Sequence, residues 1–167
     1  MFVKTLIPAI AIVVASSGWG LAQTPARMNQ FEAWGAYSYD SDNGKVCYVL
    51  SVPTRAQPGD VNHGDNFFLI SQRPGQGVSY EPQAMMGYQL GEGSKVDVTI
   101  DGTAFTLFTR GNSAWVENTE REPELVAAMR SGMSMTVDAV SSRGTETSYT
   151  YSLSGVTAAL DAIENCQ

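Results

Sequence analysis

At 167 residues the chain is long enough for one domain with a substantial core and too short for two. Hydrophobic residues make up 43% and charged residues 16%, and 17 acids outnumber 10 bases for a formal net charge of −7. This balance is globular and argues against a disordered chain, a coiled coil or a basic nucleic-acid binder, and one His with two Cys excludes most metal clusters and His-based catalytic machinery.

The N-terminus reads Met1-Phe2-Val3-Lys4, one positive charge, followed by the apolar run Thr5 to Ala15. About eleven apolar residues behind a basic start have the proportions of a signal peptide. Spanning a bilayer takes roughly 20, so an uncleaved membrane anchor is the weaker alternative. Gly20-Leu21-Ala22 supplies the small-x-small pattern of a cleavage site, so residues 1–22 are expected to be removed between Ala22 and Gln23. The mature chain would carry 9 bases and 17 acids, with no further spanning segment and no Cys near the cut to receive a lipid. It is expected in the periplasm or outside the cell.

A single β-rich domain is expected over residues 29–167. Period-two alternation marks strands at Trp34–Tyr39, Lys45–Val52, Lys95–Ile100, Ala104–Thr109, Ser113–Glu117, Met133–Val140 and Glu146–Leu153. Phe67–Ile70 is a continuous apolar run suited to a buried strand, and Met85–Leu90 completes a set of about nine. Asp42-Asn43-Gly44 and Asp101-Gly102 are hairpin signals. Two segments have helical spacing instead. Pro123–Arg130 has Pro in its first turn, Leu125, Val126 and Met129 on one face, and Gly132 past its end. Val156–Asn165 follows Ser154 as an N-cap and aligns Val156, Ala159, Leu160 and Ile163, with Cys166 on the same face. Antiparallel strands with two short helices, one of them C-terminal, predict a β-sandwich or a partly closed barrel.

Cys47 and Cys166 are expected to pair, because exported proteins meet an oxidising environment; two buried free thiols are the alternative. No Cys-x-x-Cys is present, so nothing supports a thioredoxin-type role. His63 lies in a polar loop without a neighbouring nitrogen or sulfur ligand and reads as an exposed loop residue. That loop and Asp40–Gly44 both lack the Glu that closes an EF-hand. No Gly-x-Ser-x-Gly elbow follows the signal segment, and Gly75-Gln76-Gly77 and Gly91-Glu92-Gly93 lack the third glycine and helix of a nucleotide loop. A carboxylate pair of the glycosidase kind is not testable by spacing. No catalytic, metal or cofactor residue is therefore expected.

The aromatic residues, Trp34, Tyr48, Tyr88, Trp115, Tyr149 and Tyr151 among them, could form core or line a ligand groove. Arg110-Gly111-Asn112 and Ser142-Arg143-Gly144-Thr145 place two arginines in turns of an acidic domain. Each could satisfy local turn carbonyls or contact a partner's carboxylate or phosphate. Arg110, Arg143 and Trp115 are thus the candidate interaction surface.

Trp34, then Gly44-Lys45-Val46-Cys47-Tyr48, then Phe105-Thr106-Leu107-Phe108, Ala114-Trp115 and Leu125 to Gly132 follow one another in order. Ser142 to Thr145, Tyr151 to Leu160 and Cys166 complete the series. In order and spacing this resembles the invasion-associated locus B family. The resemblance implies a small, exported, β-rich protein of a Gram-negative bacterium, in a family whose founding members are linked to virulence and invasion of host cells. It implies no catalytic residues. The expected function is a non-enzymatic interaction protein with a protein partner at the cell envelope or a host surface. A periplasmic small-molecule or glycan-binding module is the alternative, and an enzyme the third class.

Overall fold

A computed structural model describes residues 24–166. The expected signal peptide and its cleavage site lie outside the described residues. Eleven strands run through the chain: β1 (Ala26–Phe31), β2 (Trp34–Ser41), β3 (Gly44–Ser51), β4 (Arg55–Gln57), β5 (Phe67–Arg73), β6 (Val78–Met85), β7 (Lys95–Ile100), β8 (Thr103–Arg110), β9 (Ser113–Val116), β10 (Ser134–Val140) and β11 (Glu146–Ser152). Helix α1 (Glu122–Ser131) separates β9 from β10, and α2 (Val156–Ala162) follows β11. All strands join one antiparallel sheet in the order β1-β2-β3-β5-β6-β9-β8-β7-β10-β11-β4.

The sheet is open, with β1 and β4 as its edges, yet it coils until strands far apart in that order touch. The Trp34 indole on β2 donates Nε1–H to the Ser152 carbonyl of β11 at 3.0 Å. The rings of Phe68 on β5 and Tyr151 on β11 meet edge to face at 6.1 Å. At the β1–β2 turn, the Ala33 amide bonds the Ser154 carbonyl. Inside the coil, Val96, Val98 and Ile100 face Phe105 and Leu107, and Met135, Val137, Tyr149 and Tyr151 close the core, as their alternation requires. Trp34, Tyr149 and Tyr151 are therefore core residues.

Hairpin chemistry explains much of the chain path. Asp101 and Gly102, both at positive φ, form the two-residue link from β7 to β8 that matches strand twist. Helix α1 begins with Pro123 in its first turn and buries Leu125, Val126 and Met129. Gly132 closes it without a left-handed φ; an added Cβ there would lie 2.7 Å from Ile100 and 3.0 Å from Leu153. Helix α2 buries Val156, Ala159 and Leu160 against β1, β2 and β3, with Ile163 and Cys166 continuing the buried face.

The first strand starts at Ala26. Several expectations about individual elements are corrected. The cap of α2 is Gly155 at φ +89°, and Ser154 caps nothing, because the chain passes the Phe31 carbonyl too closely for a side chain. Residues 86–90 are not a strand; only Leu90 forms an isolated bridge, to Ser141. Strand β6 leaves no clear alternation in the sequence because Pro82 interrupts it. Pro82 is tolerated one residue before the stretch that pairs with β9.

Candidate functional site

Cys47 and Cys166 form a disulfide with a Cα–Cα distance of 5.8 Å, joining β3 to the end of the α2 segment. Both cysteines are buried, so the bond belongs to the core and not to an exposed redox site. Among the described residues no group of three or more His, Cys, Asp and Glu is placed to hold a metal ion, and no helix is long and apolar enough to cross a membrane.

The three candidate surface residues are split between two places. Arg110 and Trp115 share a cleft of about 260 Å³ with Phe108, Glu81 and Glu122 on the outer face of the sheet. Phe108 stacks on Trp115 with ring centroids 5.8 Å apart. Burial beside the Glu81 carboxylate raises the Glu122 carboxyl above its ordinary value, with Arg73 opposing. Arg143 stands elsewhere, at the tip of the β10–β11 hairpin. Among the described residues neither Arg110 nor Arg143 takes part in an ion pair, whereas Arg73, Arg121, Arg130 and Lys95 all do.

Register explains why Trp115 lies half-buried on an apolar surface. Cross-strand pairing aligns Gly35, Leu50, Leu69, Gln83, Trp115 and Phe108 in one row over six strands. A second row aligns Tyr37 with Tyr48, whose rings stack at 5.2 Å, with Tyr39 edge-on to Tyr48. Gly35 belongs to this surface because the Tyr37 ring lies over it, 2.7 Å from where a Cβ would stand. Burial in this cluster, with Tyr37 and Tyr39 alongside, raises the Tyr48 phenol above its usual range. Tyr39, Tyr48, Leu50, Phe67, Leu69 and Met85 line a shallow apolar depression of about 480 Å³. Thus the apolar run Phe67–Ile70 serves two faces: Phe68 and Ile70 enter the core while Phe67 and Leu69 look outward, half-buried. Beyond Phe108 the same face turns polar. Lys95 pairs with Glu117 at 2.5 Å, and Asp97 and Asp138 oppose each other on β7 and β10.

A second cleft, of about 470 Å³, opens between the loop after β4 and the β10–β11 hairpin. Loop residue Gly64, at φ +61°, lies backbone to backbone against Gly87, where a Cβ on either would meet the other strand of chain below 3 Å. Buried Asn66 locks this approach by donating to the His63 and Gly64 carbonyls and accepting from the Gly87 amide. Segment 86–91 is held in turn by both neighbouring hairpins: Leu90 N–H bonds Gly111 O, and Ser142 N–H bonds Gln89 O. His63 and Tyr88 are thereby brought together with Arg143, Ser141, Thr145 and Thr147.

His63 is half-buried, which corrects its reading as an exposed loop residue. Its Nε2 lies 2.8 Å from the Pro58 carbonyl, which can only accept, so Nε2 carries the proton. The Tyr149 hydroxyl lies 2.8 Å from Nδ1 and donates to the Tyr88 hydroxyl at 3.3 Å. Tyr88 donates to Thr147 Oγ1 at 2.6 Å, and Thr147 donates to the Ala139 carbonyl. Burial raises the phenols of Tyr149 and Tyr151 well above their ordinary value. Chain order gives no sign of this convergence, since the residues come from positions 63, 88 and 141–149 and meet only through the glycine contact.

Residues 34–164 match the sequence profile of the invasion associated locus B (IalB) protein family. No curated protein sequence matches the chain. The fold resembles the crystal structure of invasion associated protein B from Bartonella henselae, with a TM-score of 0.53 and 14% identity over 84% of this chain and 96% of that one. The profile begins at Trp34 and runs through both clefts and the segment leading to Cys166, and on that evidence the chain belongs to the IalB family.

Proposed function

We propose that this is an exported, non-enzymatic protein that acts by docking another protein at the cell envelope or on a host cell surface. The N-terminal sequence supports export, and membership of the IalB family supports contact with a host cell as one setting for the docking. The observation that carries the reading is the outer-face row from Leu50 to Phe108. A sheet covered on one face by its own core ordinarily presents polar residues on the other. Here Tyr48, Leu50, Leu69, Met85, Trp115 and Phe108 make that other face apolar over half its width, and Phe108 is 41% exposed. Aromatic side chains beside an Arg with no carboxylate partner are the composition of binding hot spots. The partner is accordingly a protein with an apolar contact surface and a carboxylate placed to meet Arg110.

Site-specific photocrosslinking in the native envelope tests this. A crosslinker at Leu69 or in place of Phe108 should give one discrete adduct, while crosslinkers at Asp97 and Asp138 should not. Trp115→Ala with Arg110→Ala should abolish the adduct at unchanged melting temperature. Adducts of equal yield from both halves of the face would overturn the proposal.

A further inference from the structure

We infer that the cleft beneath Arg143 is a second, separate binding site, for a small molecule that carries one carboxylate or phosphate on a hydroxylated frame of about sugar size. It rests on the cleft geometry and not on the docking face. Among the described residues Arg73, Arg121 and Arg130 pair with carboxylates while Arg27, Arg55, Arg110 and Arg143 do not, and of these Arg110 shares its cleft with Glu81 and Glu122. The residues lining the Arg143 cleft include no Asp or Glu. A guanidinium in that setting offers a fork of donors to an oxyanion with no competing internal anion.

The rest of the lining fits a hydroxylated frame. Ser141 Oγ accepts from the Thr145 amide, which leaves its own O–H to donate. Asn62 Oδ1 accepts from the Gly64 amide, which leaves its NH₂ free to donate. Thr145 supplies another hydroxyl. His63, Tyr88 and Thr147 have their polar atoms committed to one another, to Tyr149 and to backbone carbonyls, so they form a fixed wall with two ring faces. The frame is rigid where it must be. Gly144 at φ +80° and its amide bond to Ser141 O fix the hairpin tip, and the Gly64–Gly87 contact fixes the opposite lip. At about 470 Å³ the space is within the range of small-ligand pockets.

Amide chemical shifts of the ¹⁵N-labelled mature protein, titrated with D-glucuronate, glucose 6-phosphate and neutral methyl glucoside, test the inference. At least one of the two acids should give saturable shifts confined to residues 61–63, 88 and 141–147, and the preferred acid assigns carboxylate or phosphate as the group bound. The neutral sugar should bind at least tenfold more weakly. Arg143→Gln, at an exposed position, should keep the melting temperature and weaken the acid at least tenfold, while Arg110→Gln should leave it unchanged. Absence of shifts with both acids, equal binding of the neutral sugar, or unchanged affinity in Arg143→Gln would each refute the site. None of these results bears on the photocrosslinking of the outer face, so the two proposals fail separately.

Discussion

Removing the Cys47–Cys166 crosslink gives a sharp test of what holds this fold, because the bond spans 119 residues, nearly the whole described domain. Closing a loop of that length removes about 4.9 kcal/mol of chain entropy from the unfolded state. The folded state should hardly notice the loss. Ile163 stays buried beside the bond, and α2 keeps Val156, Ala159 and Leu160 against the sheet. The Gln72 amide also holds the Ile163 carbonyl at 2.9 Å from β5. Cys47→Ala/Cys166→Ala should therefore retain native far-UV circular dichroism yet lose about 4–5 kcal/mol in urea unfolding at neutral pH. Each single Ala variant should lose the same amount as the double within about 0.5 kcal/mol, since all three remove one crosslink. At roughly 2–4 °C per kcal/mol, the melting temperature should fall by about 10–20 °C. A loss below 1 kcal/mol would show that the unfolded chain is already compact. Loss of the α2 helical signal in the double variant would show that the bond, and not the apolar face, docks that helix. Either result would refute this reasoning.

Three further outcomes follow from particular atoms. Tyr151 buries a hydroxyl with no hydrogen-bond partner among the described residues, so Tyr151→Phe should be neutral or gain about 1 kcal/mol, whereas Tyr149→Phe, which strips His63 and Tyr88 of a hydrogen-bond partner, should lose about 1 kcal/mol in the same urea assay. Gly155→Ala should cost about 2–4 kcal/mol, because φ is +89° and the new Cβ would lie 2.1 Å from the Phe31 carbonyl oxygen; Gly144→Ala, at a similar φ but in open space, should cost only about 1 kcal/mol. Burial raises the Tyr149 and Tyr151 phenols above their unfolded value near 10, so above that pH the unfolded chain binds fewer protons than the folded one and stability should fall as pH rises. Absorbance at 295 nm during an alkaline titration should show both tyrosines ionising only as the protein unfolds.

Much of the architecture was legible along the chain, because period-two alternation is a local consequence of strand geometry. Val96, Val98 and Ile100 needed no partner to declare which side is buried, and Asp101-Gly102 declared its turn through the φ values it tolerates. The apolar stripe of α2 likewise placed Cys166 on the inner face, where Cys47 meets it. Elements shaped by contact with distant chain were not legible. Strand β4 is three residues long and exists through its pairing with β11, and β6 forms across a Pro because β5 and β9 flank it. The same distinction governs the surfaces. Arg110, Trp115 and Arg143 could be named from composition and turn position, but whether they share a surface depends on register. Pairing places Trp115 beside Phe108 in one row, while the Gly64–Gly87 contact gathers His63, Tyr88 and Arg143 around another cleft. Sequence alone thus determined the class of fold, the paired cysteines and the exposed cations, since each rests on local periodicity or residue chemistry. Which side chains face one another across the sheet was decided only by tertiary structure, because a residue's cross-strand neighbours are fixed by the pairing of strands and carry no trace in its own local pattern.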